Sequence, residues 1–549
     1  MAKISWKPYN QGQGVLFPVS IDSKIPEDHP VRLVNHIVDE LDLSDIDFGY
    51  KGGGNSSYHP RMLLKILFYA YLNNVYSCRK IAAQLEQNIY YIWLSGDQQP
   101  NFRTINNFRS LRLKQSIHKL FVQIVFILVD MGYISLKELY VDGTKLESRA
   151  NRYTFVWRKS VERNKAKLES KIHGILSQIE DGITQDNAPD DEPPTPINSR
   201  ELKERIQQIN RENRSKEELK QIKTLEDKHL PKLQEYEEKL DTLGERNSFG
   251  KTDTDSTFMR MKEDHMRNGQ LKPAYNLQIG TENQFITHYD LFPNPTDTLT
   301  LIPFMNGFES NYKIRPEQLC ADSGYGSEEN YTYLEKKEIE AYVKYNYFHK
   351  EEKRSFKNNA FLQDNLYYNK EKDYFICPMG QQMKKIYTTN RKTQSGFVSE
   401  ISVYKASRCQ GCPLRSLCHK SENDRQIQVN HKLREYKRKA RERLTSEEGL
   451  RMRKRRPIEP EAVFGQIKYN KAYNRFRHQS KEKVAMDFAV FAIAFNLLKL
   501  YRKQKKAVFA QKRTVKNKNV ELFRVYQHHE ERKTQIINLT KLNQQKNAA

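Results

Sequence analysis

The chain has 549 residues, enough for several domains and at least one sizeable core. Its 93 Lys and Arg against 68 Asp and Glu leave a formal charge of +25, which points to a polyanionic partner, nucleic acid first, because each phosphate neutralised releases a counterion. No run approaches the length needed to span a membrane, "MAKISWKPYNQ" has no apolar signal core, and six cysteines do not make a secreted disulfide framework, so a cytoplasmic protein with no membrane partner is expected.

Residues 1–130 read as an all-helical, DNA-binding N-terminal domain. "HPRMLLKILFYAYLNN" carries Met62, Leu63, Ile66, Leu67 and Ala70 at helical spacing, with His59 and Pro60 as a start signal. After "VYS", "SCRKIAAQLEQN" offers Ser77 as the N-cap of a second helix, and "RTINNFRSLR" starts a third at Thr104. Helix, tight turn, helix is the helix-turn-helix plan, in which Arg79, Lys80, Arg103 and Arg109 face phosphates or base edges. Most short helix pairs, however, bind no DNA.

The next stretch, "LYVDGTKLES", puts Asp142 at the end of an apolar strand, where an Asp-Gly pair also suits a plain turn. Residues 131–154 and 251–345 supply the first parts of a catalytic core, interrupted at 155–250 by long charged runs. Two helical arms, 156–182 and 199–243, joined across "DNAPDDEPPTPINS", make a protruding hairpin there, most simply a solvated spacer. Beyond the arms, "PAYNLQIGTENQFITHYDLF" holds two strands around the turn "TEN". A helix follows near Leu299 to Phe308, then "EQLCADSGYGS" as a short strand ending in Asp322, a helix from Ser327, and the strand "EAYVKY". With the arms omitted, the order is strand, strand, strand, helix, strand, helix, strand, which is that of a ribonuclease-H-like mixed sheet in an α/β fold.

In such a sheet the first and fourth strands are neighbours, so Asp142 and Asp322 meet at their C-terminal ends. A third acid should come from residues 431–505, the last part of the core, where "RRPIEPEAVFGQIKYNKAYNRFRHQS" lies. Pro457 and Pro460 suit the first turn of a helix carrying Glu461, Phe464 and Lys468, with Glu461 and Lys468 on one face and Glu459 as the rival acid. Asp142, Asp322 and Glu461 are hard oxygen ligands for two Mg²⁺ ions, with Mn²⁺ as a substitute. One ion would activate a water or sugar hydroxyl and the other would stabilise a departing 3′ oxygen, giving phosphodiester cleavage and transfer.

Residues 346–430 form a small cysteine-rich insertion. Cys409 and Cys412 make a C-x2-C pair, Cys418 follows, and Cys377 lies upstream in "FICPMG". Four thiolates suit a structural Zn²⁺ that would hold an insert with little apolar core, His419 is an alternative ligand, and plain reduced thiols are the simpler reading. Basic runs flank the Glu-bearing helix in "HKLREYKRKARERL" and "RMRKRR", and return in a basic tail, 506–549. "YNRFRHQ" interleaves Tyr473 and Phe476 with Arg475 and Arg477, a mix suited to an unpaired base and equally to helix packing. "MDFAVFAIAFNLLKLY" reads as a buried helix.

Taken together, "VDGTKLESRANRYTFVW", "KPAYNLQIG", "NPTDTLTLIPF", "CADSGYGSEENY" and "EPEAVFGQIKYN" resemble the DDE transposases of bacterial insertion sequences, specifically the IS-eleven-eighty-two type in the branch bearing a YREK signature. The resemblance implies Asp142, Asp322 and Glu461 as the metal-binding triad and Lys468 as the signature lysine contacting DNA near the scissile site. The signature's Tyr and Arg positions hold Lys454 and Pro457 here, so the arginine role falls to Arg456 or is lost. The expected protein binds double-stranded DNA at terminal inverted repeats, cuts a strand at each end, and joins the freed 3′ hydroxyl to target DNA, as a homodimer on the bacterial nucleoid. A structure-dependent nuclease with the same core, or a repressor derived from a transposase, are the other readings.

Overall fold

The structure, a computed structural model, describes residues 20–48, 50, 56–180, 196–212, 214–261 and 269–507. Much of the "DNAPDDEPPTPINS" break, and the basic tail beyond residue 507, lie outside the described residues. The chain divides into two units, Met1–Ile124 with Ala489–Ala549, and Val125–Phe488. The end of the apolar helix expected within the core therefore clusters with the N-terminal helices.

In the first unit, the helix Pro60–Leu72 starts as its sequence predicts, with the His59 ring accepting a hydrogen bond from Arg61 N at 3.1 Å and Pro60 where no N–H is needed. It buries Leu63, Ile66, Leu67 and Ala70 of the predicted stripe, leaves Met62 half-buried, and buries Leu64 and Phe68 as well, so it is apolar nearly all round. The helix Cys78–Gln87 begins after Ser77, although the Ser77 side chain makes no capping bond. Two expectations change downstream. A helix not anticipated, Ile89–Ser95, follows at once, with Asn88 accepting from Tyr90 N at 3.0 Å, so the tight turn lies at Asn88. The next helix begins at Phe102, where Asn101 caps Thr104 N at 2.9 Å, two residues before the predicted start.

The second unit is built on a six-stranded mixed sheet. Its strands are β1 (Glu138–Glu147), then, beyond a short ribbon of β2 (Phe155–Trp157) and β3 (Ser248–Gly250), β4 (Thr257–Arg260), β5 (Leu271–Glu282), β6 (Phe285–Phe292), β7 (Gln318–Ala321) and β8 (Glu340–Val343). The order is β4-β5-β1-β7-β8, and β6 also pairs with β5. β1 is antiparallel to β5 and parallel to β7, and β7 is parallel to β8. The β5–β6 turn is formed by Asn283 and Gln284, both at positive φ, one residue later than "TEN" suggests. Helices Leu301–Tyr312 and Glu328–Lys336 make the crossovers between strands, burying Phe304, Phe308 and Leu334.

The charged arms leave the sheet through the β2–β3 ribbon. They have an apolar core of their own. Helices Arg158–Glu180, Ser199–Gln208 and Lys216–Thr224, the last continuing to Leu243, enclose an apolar cluster that includes Leu168, Ile172, Ile179, Leu202, Leu225 and Leu233. The second arm is not one helix but breaks after Gln208 and restarts at a Ser215–Glu218 capping box.

The cysteine-rich insertion is a second, antiparallel sheet of β9 (Tyr367–Asn369), β10 (Tyr374–Ile376), β11 (Gln382–Lys392), β12 (Val398–Lys405) and β13 (Gln426–Val429), in the order β13-β12-β11-β10-β9. It has its own core of Leu366, Phe375, Met383, Tyr404, Ile427 and Val429, contrary to the expectation of little apolar support.

The Glu-bearing helix also begins earlier than its prolines suggest. It starts at Glu447, where Ser446 caps Gly449 N at 3.1 Å, and runs through two five-residue wide turns, Pro457–Glu461 and Gln466–Asn470. A wide turn absorbs the hydrogen bonds that Pro457 and Pro460 cannot donate, and such turns recur at functional positions. The final helix, Lys481–Ala507, is long and apolar enough to cross a membrane, which the sequence reading missed, and 78% of its apolar window is buried within the protein.

Candidate active site

The parallel register of β1 and β7 pairs Leu139 with Leu319 and Val141 with Ala321. One residue further on, where β7 ends, stand Asp142 and Asp322. The predicted juxtaposition is present. Asp142 does not end its strand, however, because β1 continues to Glu147 and Gly143 lies within it. Gly143 is needed for closeness rather than for a turn: a Cβ there would stand 2.1 Å from Gln278 Nε2 and 2.7 Å from Asp297 Oδ1.

The helix from Glu447 is fixed on the start of β1 by Arg451 and Arg455, which meet Glu138 at 2.9 and 3.3 Å. That anchoring delivers Arg456 and Glu461 to the two aspartates. Arg456 Nη2 lies 3.4 Å from Asp142 Oδ1 and 3.6 Å from Asp322 Oδ2, while Nη1 lies 2.5 Å from Glu461 Oε1. Three acids remote in sequence thus surround one guanidinium. Burial pulls the Arg456 pKa down, but Asp142, Asp322 and Glu461 outweigh it and the net direction is upward. Arg456, expected to contact DNA, faces the three carboxylates. The side chain of Asp142 is 12% exposed, whereas those of Asp322 and Glu461 are 47% and 48% exposed, so the cluster opens to solvent on one side.

The rival acid, Glu459, is placed elsewhere. It is buried, accepts from Gln284 N at 2.7 Å and pairs with Arg455 at 3.2 Å, closing the β5–β6 turn. Lys468 is half-buried in the second wide turn. Cys320, within β7 and two residues before Asp322, has its thiol pushed up to about 12 by burial.

Sequence reasoning missed the residues beside Asp142. Asp297 Oδ1 accepts from Asn276 Nδ2 at 2.8 Å and from Gln278 Nε2 at 2.9 Å, and the Tyr325 hydroxyl donates to Gln278 Oε1. Burial first, then Asp297 and Asp142, hold the Tyr325 hydroxyl well above its usual pKa. The available signal was an acid within "NPTDTLTLIPF", beside polar Asn276 and Gln278 on a strand that is otherwise buried.

As for a metal, the three carboxylates are hard oxygen donors of the kind a divalent ion takes. Among the described residues, no three His, Cys, Asp or Glu side chains stand close enough, as placed, to hold a metal together.

The basic residues divide. Arg109 is buried and donates to the Tyr71 hydroxyl at 2.8 Å and Tyr76 O at 3.1 Å, so it is a core residue rather than a DNA contact. Arg79, Lys80 and Arg103 are exposed, and Arg79 and Arg103 approach the exposed ring of Phe102 at 5.2 and 5.9 Å. Arg475 is tied to β1, with Nε 3.2 Å from Ser148 O and 3.5 Å from Glu147 Oε1. Arg477 packs over Tyr473 at 5.1 Å. Tyr473 and Phe476 are buried in the core, which settles their role as packing rather than base stacking.

Cys377, Cys409, Cys412 and Cys418 are free thiols that line one small cavity of about 20 Å³ with His419 and Arg425. Arg425 donates through N to Cys409 Sγ at 3.3 Å and through Nη1 to Cys418 Sγ at 3.1 Å. Both ring nitrogens of His419 are buried without a hydrogen-bond partner among the described residues.

Comparison with known families finds two matches. A family model described as Transposase DDE domain covers residues 376–501, and one described as Transposase domain (DUF772) covers residues 19–111. The first span includes Glu461 and the four cysteines and leaves Asp142 and Asp322 outside. No curated protein matches the chain. The two matched segments support an insertion-sequence DDE transposase, an enzyme of polynucleotidyl-transferase type whose family implies DNA as partner and generally uses divalent metal ions.

Proposed function

We propose that the chain is an insertion-sequence transposase of the YREK-bearing IS-eleven-eighty-two type, which cuts and joins DNA with a ribonuclease-H-like core. The observation that carries this reading is the meeting of Asp142, Asp322 and Glu461 around one cation. The strand order, with β1 between antiparallel β5 and parallel β7, supports the core assignment. The three acids would hold two Mg²⁺ ions, or Mn²⁺ in their place; bound there, the ions would supply activation of an oxygen nucleophile and stabilisation of the leaving 3′ oxygen.

The chain's own residues set the geometry. β1 and β7 fix the aspartates, the Arg451 and Arg455 anchors fix the helix carrying Glu461, and the exposure of Asp322 and Glu461 leaves an approach for a phosphate. Exposed Arg79, Lys80 and Arg103 are suited to the terminal repeats, and Lys468, Arg475 and Arg477 to DNA near the cut. The protein acts as a homodimer on DNA in the bacterial cytoplasm. Cys377, Cys409, Cys412 and Cys418 hold a structural Zn²⁺, supported by their shared cavity and by the N–H donors on two sulfurs. Elemental analysis of chelator-free protein should find one zinc per chain, lost in Cys409→Ser; no zinc would return the cluster to plain thiols.

The function is tested with a duplex carrying the inverted repeats found beside the gene, a target plasmid and Mg²⁺. Nicks at the repeat ends followed by joined products are expected. Cutting without joining would favour the nuclease, and repeat binding without cutting the repressor.

A further inference from the structure

We propose that Arg456 is a built-in competitor of the divalent ion at the three-acid site, so that metal loading and release of its guanidinium are one coupled event. The inference rests on the reading of Asp142, Asp322 and Glu461 as metal ligands. Arg456 reaches β1, β7 and the wide turn at once, and its side chain is only 7% exposed. A strong Arg–carboxylate pair directs two donors at one carboxylate. Arg456 does something different. One nitrogen, Nη2, is shared between Asp142 and Asp322 at 3.4 and 3.6 Å, beyond good hydrogen-bond length, and the short contact falls on Glu461 alone.

These are attractions of charge that a doubly charged ion, taking the same oxygens, would replace. The guanidinium is itself incompletely satisfied, because Nε is buried with no hydrogen-bond partner among the described residues. The arginines that anchor the same helix, Arg451 and Arg455, are paired with Glu138.

The test is calorimetric titration of Mn²⁺ into the full-length natural protein and into Arg456→Gln, with an Asp142→Asn, Asp322→Asn double variant identifying the heat that belongs to the triad. Arg456→Gln should bind Mn²⁺ at least tenfold more tightly, and Mn²⁺ should raise its melting temperature by more than it raises that of the natural protein. Arg456→Lys keeps a charge without the fork, so it should gain affinity by a smaller factor, and it carries the test should Arg456→Gln fail to fold. Equal or weaker binding by both variants, with triad-dependent heat present in the natural protein, overturns the role of Arg456 alone. Absence of triad-dependent Mn²⁺ binding from every protein overturns the metal reading and this inference with it.

Discussion

The six-stranded sheet and the N-terminal helices treat their charged residues in opposite ways. In the sheet, acids far apart in sequence are brought to one guanidinium by strand register and an anchored helix. Among the helices, basic residues close in sequence part company: Arg109 turns inward to Tyr71 and Tyr76, while Arg79, Lys80 and Arg103 remain outside. A strand fixes a residue's partner through its pairing. A helix fixes only a phase, and which face packs inward depends on neighbours that a local reading does not contain.

The largest effect expected from this contrast is at the triad. Asp142→Asn, Asp322→Asn or Glu461→Gln should slow cleavage of a repeat duplex by on the order of a thousandfold, about 4 kcal/mol of barrier, with DNA binding retained. Glu459→Gln should keep most of the cleavage rate and lose stability instead, since its partners are Gln284 N and Arg455. Full-rate cutting by the first three variants, or loss confined to Glu459→Gln, would move the site.

Arg109→Ala comes next. Its buried, charge-assisted bonds predict a loss of about 2–3 kcal/mol in urea unfolding, larger than any change in DNA affinity at a permissive temperature. Gly143→Ala should cost about 1–3 kcal/mol, because the new methyl group meets Gln278 and Asp297, and should also reduce cleavage by disturbing the residue next to Asp142. The smallest stability change belongs to Arg79→Ala and Arg103→Ala, within about 0.5 kcal/mol. Their effect should appear in DNA titrations: removing an arginine that touches phosphate lowers the salt slope by about one, whereas removing one that reads a base edge relaxes discrimination by about 1–3 kcal/mol. Wild-type binding by both variants would detach this face from DNA recognition.

Much of the site was readable because apolar runs ending in Asp142 and Asp322 carry the strand signal, and the element order then implies their adjacency. The continuation of β1 past Gly143 was hidden by the turn preference of Asp-Gly, which the packing of Gln278 against the backbone overrides. Pro457 and Pro460 read as a helix start, because wide turns leave no separate sequence signature. The core inside the charged arms was obscured by the abundance of Lys and Glu around Ile172, Leu202 and Leu233, which fall at helical spacing only within segments broken at 209–215. Arg456 illustrates the opposite limit. Its position near Glu461 was visible, but that it faces the carboxylates follows only from the anchoring of its helix on Glu138.

Whether Asp142, Asp322 and Glu461 form one divalent-ion site is tested most directly by iron-directed cleavage of the protein backbone, which needs no knowledge of the DNA sequence. Fe²⁺ with ascorbate and peroxide should cut the full-length chain close to residues 142, 322 and 461, with excess Mg²⁺ suppressing the cuts and Asp142→Asn weakening all three together. Cuts at only one of these segments, or three cuts that persist unchanged in Asp142→Asn, would contradict a shared site.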